Sequence, residues 1–114
     1  VNDKLGTPTY THDFAQNVKL LIEKKFWGLY NMVCSGITGR YEVTLELIKV
    51  LEKEDEIKII PVQSDYWEKE YFAKRPDSER LLNRKLDFRG LNIMRDWRIC
   101  LEEYIKNYYQ GYLD

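Results

Sequence analysis

The sequence predicts an α/β fold that forms part of a larger body, and two observations lead to this class. Helical and strand-like patterns alternate along the 114 residues, in the order helix, strand, helix, strand, long irregular stretch and helix. Two or three short strands make too small a sheet to be stable alone, while the helices beside them carry broad apolar faces. We therefore expect neighbouring elements that this chain does not supply.

The elements follow from spacing and from breaker residues. The first helix is expected to begin near Thr11, which has a side chain suited to the N-cap, and to end before Gly28. Strands are expected over residues 29–34 and 57–62, a second helix over 40–53, a short helical or extended piece over 80–86 and a last helix over 96–108. The expected buried face of the first helix consists of Phe14, Ala15, Val18, Leu21 and Ile22.

Composition excludes several classes of protein. Nine Tyr, four Phe and three Trp are too many for a disordered tail. The net charge of −1 provides no basic field for nucleic acid, and no apolar run approaches the roughly 20 residues of a membrane span. Cys34 and Cys100 match no metal or redox motif, so we expect two buried, reduced thiols in a cytoplasmic protein, although a disulfide between them stays open.

The catalytic constellations that the sequence could carry are incomplete. It has no Gly-rich dinucleotide fingerprint and no phosphate loop. None of the nine tyrosines is followed by Lys at the fourth position, which is the acid/base pair of short-chain dehydrogenases. The single histidine, His12, has no Cys or second His beside it, so no metal site is expected. We predict no catalytic, cofactor-binding or metal-binding residue in this chain.

Four segments in order carry a family resemblance. The first reads Gly-Thr-Pro-Thr-Tyr-Thr over residues 6–11, and the second reads Gly-Leu-Tyr-Asn-Met over residues 28–32, followed by Ser35-Gly36. The third reads Ala-Lys-Arg-Pro over residues 73–76, with Ser78 and Lys85-Leu86 after it. The fourth reads Met-Arg-Asp-Trp over residues 94–97. The series resembles the C-terminal third of the dTDP-4-dehydrorhamnose reductase family, although Asn31 stands where His is common.

The resemblance implies a fold and a function. The fold is the C-terminal substrate-binding subdomain of an extended short-chain dehydrogenase with a Rossmann-type parent, with about three main helices and two or three short strands over residues 1–114. The function is a fragment of a nucleotide-sugar reductase that reduces a 4-keto sugar nucleotide with NADPH or NADH. The cofactor domain and the Tyr/Lys pair would lie outside this chain. An epimerase or dehydratase and a non-catalytic regulatory subunit of the same fold remain alternatives.

Three residues are expected to contact the nucleotide sugar: Thr9, Tyr10 and Arg75. Thr9 and Tyr10 precede a helix, where free backbone N–H groups can meet an anion, or they belong to an ordinary turn fixed by Pro8. Arg75 precedes Pro76 and is suited to a bidentate contact with a diphosphate, or to a structural ion pair. The tyrosines near the C-terminus should pack against an absent half or a partner chain, and we expect the isolated chain to self-associate.

Overall fold

The computed structural model describes residues 1–67, 76–109 and 111. It contains α1 (Thr11–Glu23), α2 (Arg40–Val50), a 3-10 helix (Ser64–Trp67), α3 (Arg84–Phe88) and α4 (Trp97–Tyr108). The three longer helices are those that the sequence predicts, and the short piece expected over 80–86 is helical only from Arg84 onward, as α3. Helices α2 and α4 pack against each other.

The expected strands are present only as extended segments. Within the described ranges the β-pairing consists of isolated bridges, which join Leu5 to Gly39 and to Ser78, and Ser35 to Asp96. Residues 57–62 make no bridge at all. Local β-propensity was therefore not sufficient, because a strand needs a paired neighbour. Within the described ranges these segments have only single backbone contacts, such as the Asn2 N–H that donates to the Val62 carbonyl at 3.0 Å.

Side-chain amides take the place of neighbouring strands. The Val33 N–H donates to Asn83 Oδ1 at 2.9 Å, and Asn83 Nδ2 donates back to the Val33 carbonyl at 2.7 Å. Asn17 binds the segment before α4 in the same way, donating to the Leu91 carbonyl at 2.9 Å and accepting from the Ile93 N–H at 3.1 Å. Both asparagines are buried. Each extended segment is thus fixed to a helix or loop without a sheet.

The buried face of α1 differs from the expected one. Its buried residues are Asp13, Asn17 and Leu21, which lie at successive intervals of four. Phe14 and Ile22, expected in the core, are 43% and 54% exposed. The helix turns a different face to the core than expected because Asp13 and Asn17 have hydrogen-bond partners in the interior. Two polar side chains are therefore buried, and two apolar side chains are exposed. Thr11 is the first helical residue, and the N-cap is Tyr10 without a side-chain cap bond.

The core lies between α1, α3, α4 and the segment after Gly28. Trp97 at the start of α4 is 1% exposed and packs with a set of buried side chains, namely Leu21, Met32, Cys34, Leu86, Met94 and Cys100. Asp96 caps α4 by accepting the Arg98 N–H at 2.9 Å. Gly36, with φ +98°, passes so close to Trp97 that a Cβ would lie 2.7 Å from its Cδ1. Only glycine fits this crossing of the turn and the helix start.

We predict that Asn83→Ala destabilises the fold by about 2–4 kcal/mol, because it leaves the Val33 N–H and carbonyl unpaired in a largely buried position. Urea unfolding followed by circular dichroism measures the change. Asn107→Ala on the exposed side of α4 is the matched control and should change the free energy of unfolding by less than about 0.5 kcal/mol. Equal effects of the two variants would contradict the structural role of the Asn83 amide.

Candidate functional site

An aromatic cleft lies between the start of α1 and the end of α4. Its volume is about 510 Å³, and it is lined by Tyr10, Thr11, His12, Tyr104, Tyr108 and Tyr109. The Tyr10 and Tyr104 rings meet edge to face with centroids 6.2 Å apart, and Tyr109 lies 5.2 Å from Tyr104. The lining combines ring faces, which can stack on a planar or sugar ring, with phenol hydroxyls that donate and accept hydrogen bonds.

A charge network fixes the two helix starts that position this cleft. Arg95, immediately before α4, binds the Asp13 carboxylate of α1 through Nε at 2.9 Å and through Nη2 at 2.7 Å. Its Nη1 donates to Glu103 at 2.6 Å. Asp13 is 5% exposed, so its charge is kept inside the protein by this bidentate pair. The Arg95 guanidinium lowers the pKa of Asp13 to about 2, despite the burial that opposes the shift.

Tyr10 joins the cleft to this network. Burial raises the pKa of the Tyr10 phenol, and the nearby Glu103 carboxylate raises it further. The pKa of Tyr104 is also raised, chiefly by its hydrogen bond with the Tyr109 hydroxyl. These phenols keep their protons at neutral pH, so each hydroxyl can both donate and accept a hydrogen bond.

A second, smaller cleft of about 220 Å³ lies on the other side of the extended segment. Its lining comes from residues 33–37 and 80–83, together with Asp87 and Asn92. Asn92 Nδ2 donates to Asp87 Oδ1 at 2.6 Å, and Asn83 donates to Asn92 Oδ1 at 3.3 Å. This amide network holds α3 against the segment before Ser35.

Two of the three residues predicted to bind substrate lie in the described ranges. Tyr10 lines the aromatic cleft, whereas Thr9 is exposed and lies outside its lining. Arg75 lies outside the described residues, so its role stays a prediction. Tyr104, Tyr108 and Tyr109 line the cleft with Tyr10 and are exposed, so their packing against an absent half or a partner chain stays a prediction; Tyr112 is outside the described ranges. The spacing of Tyr104 and Tyr108, one turn apart on α4, was the sequence signal for a shared ring surface.

The described part of the chain contains no metal-binding cluster and no helix suited to span a membrane. No group of three His, Cys, Asp or Glu side chains there is close enough together to hold a metal ion. His12 is exposed and lies 3.6 Å from Asp13. No helix in the described part of the chain combines the length and apolar character that crossing a membrane requires.

Comparison with known proteins decides the family. The sequence model described as the RmlD substrate binding domain matches residues 1–110. The chain belongs to the RmlD substrate-binding family. The resemblance that the four sequence segments carry is thereby confirmed, and it extends over nearly the whole chain rather than over isolated motifs.

Individual relatives of this RmlD-family chain support the same family assignment. It is 33% identical over 108 residues to the spore coat polysaccharide biosynthesis protein SpsK of Bacillus subtilis. The crystal structure of a dTDP-4-dehydrorhamnose reductase, an RfbD ortholog from Clostridium acetobutylicum, matches with a TM-score of 0.85 and 32% identity over 94% of this chain. A dTDP-4-dehydrorhamnose reductase from Bacillus anthracis, in complex with NADP, shares the fold with a TM-score of 0.83 at 22% identity over 93% of this chain.

The RmlD-family chain is much shorter than these relatives. It spans 35% of SpsK, 37% of the Clostridium protein and 36% of the Bacillus anthracis protein. The expected fold class, a substrate-binding subdomain of an extended short-chain dehydrogenase, is confirmed by the Clostridium structure. The extended segments that lack partner strands here belong to a region that is one third of a larger molecule in its relatives.

The Asp13–Arg95 pair predicts a pH dependence of stability. The folded-state pKa of Asp13 lies below its ordinary value of 3.8, so the stabilisation is fully present above the unfolded pKa and is lost as pH falls through the folded pKa. The stability advantage of the wild type over Asp13→Asn should therefore shrink by about 2 kcal/mol between pH about 5 and pH about 2. Urea unfolding at a series of pH values measures it.

The matched control for this experiment is Glu23→Gln. Glu23 also lies on α1, but its carboxylate is exposed and 3.9 Å from Lys19, so its effect on stability should be small at every pH. A difference between wild type and Asp13→Asn that stays constant from neutral to acid pH would show that the Asp13 charge does not stabilise the fold.

Proposed function

We propose that this chain is the substrate-side part of a nucleotide-sugar reductase of the dTDP-4-dehydrorhamnose reductase type. The observation that carries the proposal is the Clostridium reductase structure, which matches 94% of the chain at 32% identity. The proposed reaction transfers hydride from NADPH or NADH to the 4-keto group of a sugar nucleotide. The nucleotide sugar is the partner that this region helps to bind.

The cofactor is proposed to bind outside this chain. The sequence contains neither a Gly-rich dinucleotide fingerprint nor a Tyr with Lys four positions later, so its own residues do not fit the demands of a nicotinamide dinucleotide. NADP is bound in the Bacillus anthracis reductase, where the matching region is 36% of the chain. We place a Rossmann-type cofactor domain in the longer protein and assign this chain to the nucleotide-sugar side.

Among the described residues, Tyr10 has the best-supported role in binding. It lines the aromatic cleft, and its hydroxyl stays protonated. Its own backbone N–H is held by a hydrogen bond to Cys34 Sγ at 3.3 Å. Thr9 is exposed beside it, at the entry to α1. We propose that Thr9 and Tyr10 contact the sugar nucleotide and that Arg75, because of its position before Pro76 in the sequence, contacts its diphosphate.

We also propose a cytoplasmic location, which the free thiols of the described chain support. Cell fractionation would test it.

The function is tested on the longer protein. A Gly-rich fingerprint and a Tyr-x-x-x-Lys pair should be encoded upstream, and dTDP-4-dehydrorhamnose should drive stoichiometric oxidation of NADPH, followed by absorbance. Isomerisation of the sugar without net oxidation would indicate an epimerase instead. Loss of the Tyr or Lys, with no turnover, would indicate a regulatory subunit. Calorimetric titration of the 114-residue chain with NADPH should give no saturable binding.

In the longer protein, Arg75→Ala should raise KM for the sugar nucleotide ten- to hundredfold, because a charge-assisted bond of about 1.5–3 kcal/mol is lost. The diphosphate is remote from the reacting carbonyl, so kcat should change little. Arg75→Lys should recover little of the loss, because an ammonium cannot form the planar bidentate contact. If KM is unchanged and only the melting temperature falls, Arg75 is structural.

We further propose that the isolated chain self-associates through its exposed apolar surface. Trp27, Leu29 and Phe88 are 69%, 87% and 80% exposed. Lys85 bonds the Leu29 carbonyl at 3.1 Å from the same helix that carries Phe88. Sedimentation velocity should show concentration-dependent association that Leu29→Ser with Phe88→Ser weakens, whereas Lys19→Ser does not. A single monomer boundary at high concentration would rule it out.

A further inference from the structure

The two cysteines of the chain lie together inside it. Cys34 comes from the extended segment before the Gly36 turn and Cys100 from the first turn of α4, 66 positions later. Their sulfur atoms are 3.7 Å apart, and each residue is 3% exposed. Because the chain has two cysteines in total, any intrachain disulfide would join this pair.

The two thiols take part in a hydrogen-bond chain that gives them different surroundings. The Tyr10 N–H donates to Cys34 Sγ at 3.3 Å, Cys34 donates to Cys100 Sγ, and Cys100 donates to Asp13 Oδ2 at 3.3 Å. Cys100 therefore faces a carboxylate, and burial together with that carboxylate raises its pKa. A negative charge on Cys100 is disfavoured, so this sulfur is poorly suited to react first.

Access to the pair is also unequal. Cys34 lines the second cleft, of about 220 Å³, whereas Cys100 is absent from that lining. Hydrogen peroxide is only slightly larger than water, whose share of liquid volume is about 30 Å³, so the cleft is large enough to admit it. A small oxidant would therefore reach Cys34 from the cleft, with Cys100 directly behind it.

We propose that Cys34 and Cys100 form a peroxide-driven disulfide switch, in which Cys34 is the reacting thiol and Cys100 the resolving one. Cys34 sulfur attacks hydrogen peroxide, the O–O bond breaks, and an S–OH group forms as one water leaves with the thiol proton. Cys100 sulfur then attacks Cys34 sulfur. The S–O bond breaks, the S–S bond forms, and the hydroxyl departs with the Cys100 proton as a second water. The peroxide is reduced, and both thiols are oxidised.

Closing the bond would shorten the sulfur separation from 3.7 Å to about 2.05 Å. That change would tie the segment beside the Gly36 turn to α4 and remove the proton that Cys34 shares with Cys100. The Tyr10 N–H donates a hydrogen bond to the Cys34 sulfur, so formation of the disulfide would shift the backbone at the aromatic cleft. Reduction by a dithiol would reverse it.

The test treats the 114-residue chain with hydrogen peroxide and measures intact mass, thiol count and melting temperature. The wild type should lose two hydrogens, run as a monomer on a non-reducing denaturing gel, gain at least about 5 °C in melting temperature, and return to its starting state with dithiothreitol. Retention of both thiols, or disulfides formed only between molecules, would overturn the proposal.

Two single variants test the order of the steps. Cys100→Ala should accumulate sulfenic acid on Cys34 that dimedone traps as a stable adduct, while Cys34→Ala should label several-fold more slowly. Equal labelling of the two variants would refute the assigned roles. Circular dichroism checks that each variant is folded, and Cys34→Ser replaces Cys34→Ala if the alanine variant is not. The wild-type mass change does not depend on either variant.

Discussion

The buried side-chain amides of Asn17 and Asn83 are the interactions on which the rest of this structure depends. Each amide donates to one backbone carbonyl and accepts one backbone N–H of an extended segment. An extended backbone that leaves water must find such partners, and an unpaired buried group costs about 1–3 kcal/mol. In this chain the partners come from side chains on α1 and before α3. The position of both segments follows from these contacts, and with it the position of the turn at Gly36 and the start of α4.

The Asp13–Arg95 pair fixes the positions of α1 and α4 relative to each other. It joins the first turn of α1 to the residue before α4 with two short charge-assisted bonds. The aromatic cleft and the two thiols both lie around this joint. Tyr10 precedes Asp13 on one side, and Cys100 donates to the Asp13 carboxylate on the other. Protonation of the Asp13 carboxylate would therefore alter the cleft, the thiol pair and the stability of the fold together.

The distribution of apolar side chains fits a region that forms part of a larger protein. Phe14 and Ile22 on α1, and Leu29 and Phe88 near α3, are exposed although they belong to apolar patterns. Such surface is usually covered by another part of the protein or by a partner. The relatives, of which this chain spans little more than one third, provide a reason for that surface. Their greater length also gives a reason why this third of the molecule has no cofactor fingerprint of its own.

The sequence by itself determined the family, the three longer helices, the burial of both cysteines and the absence of a dinucleotide fingerprint, because these depend on motifs and on periodicity within one segment. Tertiary structure decided which face of α1 is buried, since Asp13 and Asn17 turn inward only when Arg95 and the backbone of residues 91–93 are beside them. It also decided that residues 29–34 stay extended without a strand partner, because Asn83 pairs with their backbone from 50 positions away. The closeness of Cys34 and Cys100, and the meeting of Tyr10 with the α4 tyrosines, are likewise contacts between segments distant in the chain, and local patterns carry no information about such distances.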